Sequence, residues 1–70
     1  MFFILEVQGY EDGTFAHILT QKADQNEAEA DYYRVLSAAA ISGIPVHGAT
    51  LLDEQMRQRM YKSYDRRSKA

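Results

Sequence analysis

Residues 24 to 45, DQNEAEADYYRVLSAAAISGIP, constrain the fold of this chain more than any other stretch. They spell one capped amphipathic helix with a hard stop. Asp24 can act as N-cap, its carboxylate accepting from a free backbone N–H, with Glu27 as capping partner; Asn26 with Glu29 would serve almost as well. Asp24, Glu27, Glu29 and Asp31 crowd the first turns, where the positive end of the helix dipole favours them. Ala28, Tyr32, Val35, Leu36, Ala39 and Gly43 recur at three- and four-residue spacing and form an apolar stripe. Gly43 suits the left-handed position past a helix end, and Pro45 prevents the helix from resuming.

Two hydrophobic segments precede this helix and one follows it. Phe2 to Gln8 and Thr14 to Thr20 are rich in β-branched and aromatic residues, and Asp12-Gly13 between them is a tight-turn signal. Counting outward from a two-residue loop pairs Glu11 with Thr14, Tyr10 with Phe15 and Val7 with Ile18. One face then carries Phe3, Leu5, Val7, Ala16 and Ile18, and the other Phe2, Ile4, Phe15 and Leu19 among Glu6, Gln8 and His17. Both faces are substantially apolar, yet a single helix can cover only one. A face that merely met water would alternate cleanly between apolar and polar residues. A contiguous exposed apolar patch marks an interface.

Val46 to Leu52 reads as a third strand. Met56 to Tyr64, MRQRMYKSY, reads either way. As a strand it sets Met56, Met60 and Tyr64 on one face and Arg57, Arg59 and Tyr61 on the other. As a helix it repeats Leu52, Met56, Met60 and Tyr64 every four residues, and intrinsic propensity favours that reading. Topology weighs against it, because a second hairpin supplies four strands to back the long helix, and context overrides propensity. The expected fold is therefore α+β, ββαββ, one helix on an antiparallel four-stranded sheet, with ββαβα as the alternative. Residues 1–65 form the single domain and residues 66–70 a basic tail.

Seventy residues without a cysteine must draw their stability from apolar packing, or from a partner as well. A domain of this size buries only about 60% of the surface its unfolded chain exposes. The opening MFFILEV is too short for a membrane span or signal sequence and is interrupted by Glu6, so no membrane association and a cytoplasmic location are expected. The net charge of −2 hides a split: residues 1 to 56 carry nine acidic against two basic side chains, whereas residues 57 to 70 carry six basic against Asp65 alone. Such asymmetry points either to an anionic partner or to a solvated, internally paired basic end.

The run EVQGYEDG (Glu6 to Gly13), the helix EAEADYYRVLSAAAISG (Glu27 to Gly43) and the strand PVHGATLL (Pro45 to Leu52) resemble a group of small uncharacterised proteins. These occur in Gram-positive gut bacteria and their phages or mobile elements. The resemblance covers about three quarters of the chain and implies a strand after the LL pair, in agreement with ββαββ. It implies no functional residues.

Each catalytic template lacks parts. The glycines at 9, 13, 43 and 48 do not have the spacing of a phosphate loop. His17 and His47 fall in strands, with no serine evidently placed to meet them and no metal-ligand spacing between them. Glu27 and Asp31 lie one helical turn apart and read as a solvated acidic face. No enzyme activity, cofactor or metal site is expected. The basic segment interleaves Arg57, Arg59, Lys62, Arg66 and Arg67 with Tyr61 and Tyr64, a pattern that can grip phosphates and stack on bases. The acidic remainder of the chain would repel nucleic acid, which makes that partner the second reading.

Two surfaces are candidates for self-association: the apolar sheet face of Phe2, Ile4, Phe15 and Leu19, and a helix flank of Tyr33, Ser37, Ala40 and Ile41, with no charge from Val35 to Ile41. The expected function is that of a small non-enzymatic interaction protein, forming a homodimer or binding another protein. The alternative is a nucleic-acid-binding module using the basic segment.

Overall fold

The computed structural model describes residues 1–67 and contains, in chain order, β1 (Phe2–Gly9), β2 (Phe15–Lys22), α1 (Gln25–Ile41), β3 (Val46–Leu52) and β4 (Gln58–Asp65). The arrangement is ββαββ. The four strands form one antiparallel sheet in the order β2-β1-β3-β4. Because β1 lies between β2 and β3, the helix joining those two strands crosses over it and packs against the middle of the sheet.

The helix begins where the capping chemistry places it: the Asp24 carboxylate accepts from Glu27 N–H at 3.1 Å. Ala28, Tyr32, Val35 and Ala39 are buried, and Leu36 packs beside them. They meet Ile4 from β1 and Ala49 and Leu51 from β3, with Phe2 and Met60 at the margin. Gly43 does not take the left-handed position expected of it; Gly13 is the one glycine at positive φ among the described residues. The helix ends instead through Ser42 in an extended conformation, its N–H and Oγ both bound to the Ala39 carbonyl. Arg66 completes the cap: its guanidinium donates to the carbonyls of Ala39, Ala40 and Ile44. A cation at this end also suits the helix dipole. Arg66 is thus part of the folded unit rather than of a loose tail; residues 68–70 of that tail lie outside the described residues.

The first hairpin differs from expectation by one residue. Its loop has three residues, Glu11, Asp12 and Gly13, closed by Tyr10 N–H to Thr14 O at 2.9 Å and Gly13 N–H to Tyr10 O at 3.1 Å, with Gly13 at φ 91°. This is a type I turn followed by a left-handed glycine, which adds one residue to the loop. The Asp12 carboxylate pins it by accepting from Thr14 N–H and Oγ. Val7 therefore pairs with His17, and Leu5 with Leu19. A one-residue shift exchanges the two faces of β2. Phe2 and Ile4, on the other side of β1 from Leu5 and Val7, lie under the helix, Ile4 only 1% exposed, and neither belongs to the outer face.

The second hairpin repeats the same turn. Asp53 N–H bonds Arg57 O, Met56 N–H bonds Asp53 O, and Met56 takes the left-handed position at φ 62°. The Asp53 carboxylate accepts from the backbone of Gln55 and Arg57. Beyond it the 58–65 segment is a strand despite its helical propensity, because pairing with it satisfies the backbone groups along the edge of β3 that faces away from β1. A register shift between Leu51 and Leu52 leaves Arg59 at a bulge, and Met60, Lys62 and Tyr64 turn toward the helix side.

Candidate functional site

Alternation along the three strands β2, β1 and β3 puts Phe15, His17, Leu19 and Gln21, then Phe3, Leu5 and Val7, then Gly48, Thr50 and Leu52 on the sheet surface away from the helix. Tyr61 and Ser63 of β4 continue it. Among these outward positions of β1, β2 and β3 there is no Asp, Glu, Lys or Arg. Leu5 and Leu19 stand directly opposite each other, with Val7 beside His17. Phe15 folds its ring over Gly9, where a Cβ would come within 2.5 Å of it, and stacks near His17 with ring centroids 6.5 Å apart. Phe15 is 47%, Leu19 53% and Tyr61 59% exposed. Nothing in the described chain covers this surface. The expected apolar second face exists, but Phe3, Leu5, Val7 and Leu52 build it with Phe15 and Leu19 in place of Phe2 and Ile4.

The second expected surface is also open. Tyr33 is 52% and Ile41 88% exposed, and Ser37 and Ala40 lie on the same outer flank of α1. Arg34, bound to Asp31 at 2.7 Å, borders it.

The five candidate cations do not gather into a patch. Arg57 sits in the β3–β4 turn with its Nε 2.9 Å from the Asp53 carboxylate, and Arg59 is 3.7 Å from the same group. Backbone N–H donation by Arg57 and Gln55, with the Arg57 side chain, outweighs desolvation and holds the Asp53 carboxyl below its ordinary range. At the far end of β4, Arg66 is committed to the helix terminus and Arg67 pairs with Asp65 at 2.7 Å. Lys62 lies between the two ends, on the helix side, its ammonium 5.3 Å from the Tyr64 ring. The expected alignment of Arg57, Arg59 and Tyr61 on one strand face is not formed, because Arg57 belongs to the turn and the bulge interrupts β4.

His17 and His47 lie on opposite faces of the sheet and cannot share a ligand. His47 instead joins a polar chain at the helix C-terminal end. Its Nδ1 is 2.8 Å from Ser42 Oγ and its Nε2 is 2.7 Å from the Glu6 carboxylate. Gln8 donates to the same Glu6 oxygen, and Tyr10 donates to Gln8. Sequence inspection misses this serine–histidine contact, although Glu6 and Gln8 on the helix-facing side of the central strand β1 require partners. Burial would raise the Glu6 carboxyl, but hydrogen bonds to Gln8 and His47 and the charges of His47 and Arg34 prevail and hold it below its usual range. The connectivity resembles a nucleophilic relay, yet Ser42 stands among helix C-terminal carbonyls, whose negative end opposes an oxyanion. Two open hollows of about 440 and 320 Å³ lie elsewhere, one beside Asp53 and Arg57, the other beside Lys22 and Asp31. The chain's role here is to seal the end of the core with satisfied polar groups.

Among the described residues no cluster of His, Asp and Glu could hold a metal ion, and no helix is long and apolar enough to cross a membrane. No family model, curated protein or solved structure matches this chain.

Proposed function

We propose that this is a small non-enzymatic interaction protein whose working surface is the sheet face turned away from the helix. One observation supports the reading above all others: three adjacent strands present apolar side chains and no formal charge on a surface that nothing among the described residues covers. A monomer that used this face only to meet water would place charges on it, at no cost to the helix-side core. The partner is a protein with a matching apolar surface, a second copy of the chain included, and the setting is the cytoplasm of a cell, phage-infected or carrying a mobile element. The nucleic-acid reading has less support, since Arg57 and Arg66 are engaged within the fold and Arg57 and Arg67 lie at opposite ends of β4.

Photo-crosslinking in the expressing cell tests it. Benzoylphenylalanine in place of Tyr61 reports on the outer sheet face, and the same group in place of Tyr33 reports on the helix flank, at nearly equal exposure. Polypeptide adducts from position 61 and none from position 33 are expected. Adducts from neither position, or equally from both, would remove the reason for assigning this surface.

A further inference from the structure

We infer that the occupant of the open face is a second copy of this chain, stacked face to face about a two-fold axis to give a sandwich of two sheets with the helices outside. The inference rests on the interaction reading above and names its partner.

Self-association about a two-fold axis sets a surface against itself, so any formal charge near the centre meets its own like. The outward positions of β1, β2 and β3 hold none, which is the composition that self-contact requires and contact with a charged partner does not. The charges of β4 that border the face are already paired within the chain, Arg59 near Asp53 at 3.7 Å and Asp65 with Arg67 at 2.7 Å. A two-fold axis running across the strands lays β4 of one copy over β4 of the other in the opposite direction, which keeps these paired border charges at the rim and away from the charge-free centre. Such a stack keeps the strands of the two sheets aligned, the usual geometry of sheet-on-sheet packing, about 10 Å apart.

Area narrows the choice further. Four strands at about 4.8 Å spacing and about 26 Å of strand length give a face of roughly 500 Å² in plan, so two faces together reach about 1,000 Å², the lower bound for a specific interface. The face is large enough for a dimer only when the whole of it is used. Full-face stacking meets this condition, whereas a corner contact does not.

The alternatives within the molecule are the two sheet edges and the helix flank. The β4 edge is guarded by its bulge and by Arg59 and Lys62, while β2 is unguarded except by Lys22. Edge pairing through β2 is therefore the arrangement that the experiment must separate from stacking.

Light scattering across a dilution series separates them. The wild-type chain is expected at twice its 8.0 kDa mass at micromolar concentration. Thr50→Lys, on the central strand β3, and Leu19→Lys, on β2, are each expected to weaken the dimer at least tenfold. Ile41→Lys, on the helix flank, is expected to leave it unchanged. Circular dichroism checks that each variant stays folded, and Thr50 and Leu19 are chosen because neither belongs to the buried core. Loss of the dimer in Leu19→Lys but not in Thr50→Lys would assign edge pairing and overturn the stack. Loss in Ile41→Lys alone would move the contact to the helix. A wild-type monomer at every concentration would overturn self-association, yet adducts from position 61 to a different polypeptide would keep the interaction reading intact.

Discussion

Glu6 and His47, 41 positions apart in the chain, are joined by a 2.7 Å hydrogen bond that ties the central strand β1 to the start of β3. His47 is in turn bound to Ser42 just past the helix, so one imidazole links sheet, connection and helix end. Both groups face the helix side, where an unpartnered polar atom would be costly. Removal of one partner from such a pair costs more than the pair is worth, because the other is left desolvated and unbonded.

This pair gives the domain a dependence on acid. The folded state holds the Glu6 carboxyl below its usual range, so the unfolded chain binds that proton more readily. Its contribution is complete above about pH 5 and is lost as pH falls through about 4 and below, past the folded value. Glu6→Gln is expected to cost on the order of 1 kcal/mol at neutral pH, and the gap between variant and wild type is expected to close in acid. Urea unfolding of both proteins from pH 7 to pH 3 measures it. A gap independent of pH would show that the carboxylate charge contributes nothing.

Leu51 and Leu19 test the two faces against each other. Leu51 is enclosed between β3 and the helix, whereas Leu19 points to the open side. Leu51→Ala is expected to cost about 2–5 kcal/mol and Leu19→Ala under about 1 kcal/mol in a dilute, monomeric sample. Chemical denaturation at low protein concentration reads both. Equal costs would mean that β2 is turned the other way in its pairing with β1.

That orientation of β2 is where the sequence was least legible. The helix could be read nearly to the residue, since Asp24 supplies its cap and Pro45 ends the possibility of continuing. The presence of two hairpins around it could also be read, and with them an apolar face in excess. What escaped was a single residue of loop length: Asp12-Gly13 fits both a two-residue turn and the final two residues of a three-residue loop. Strand alternation converts that small ambiguity into a complete exchange of the β2 faces, so Phe15 and Leu19 share the outer side with Phe3, Leu5 and Val7 instead of with Phe2 and Ile4, which meet the helix. The serine–histidine–glutamate chain escaped for a different reason. It depends on β3 lying beside β1, a strand order that no local pattern specifies. Arg66 escaped likewise, because a basic residue near the end of a chain gives no sign of which carbonyls it will meet.

Gly48 marks the closest approach of β3 and β4. A Cβ there would lie 2.6 Å from the Lys62 carbonyl oxygen and 2.7 Å from Ser63 Cα, both backbone atoms that cannot swing aside. Gly48→Ala is expected to destabilise the domain by about 1–3 kcal/mol. Hydrogen exchange should show the loss concentrated in β4, an edge strand whose one neighbour is β3. Protection of β4 unchanged in the variant would mean that the two strands adjust without separating.

The two hairpins use the same turn with different residues at its demanding position, and this difference predicts a gain in stability. Gly13 occupies the left-handed position in the first turn and Met56 occupies it in the second. For an L-residue with a side chain that conformation brings Cβ too close to the following carbonyl, at a cost of roughly 1–2 kcal/mol. Glycine avoids the contact but gives up more freedom on folding, which offsets part of the gain. Met56→Gly is therefore expected to stabilise the domain by about 0.5–1 kcal/mol, and Gly13→Ala to destabilise it by a similar amount. Met56 is exposed and lies outside the buried core, so its loss removes no core contact. Thermal unfolding of the two variants beside the wild type measures both signs at once. A destabilised Met56→Gly would show that the methionine side chain contributes more than its backbone conformation costs.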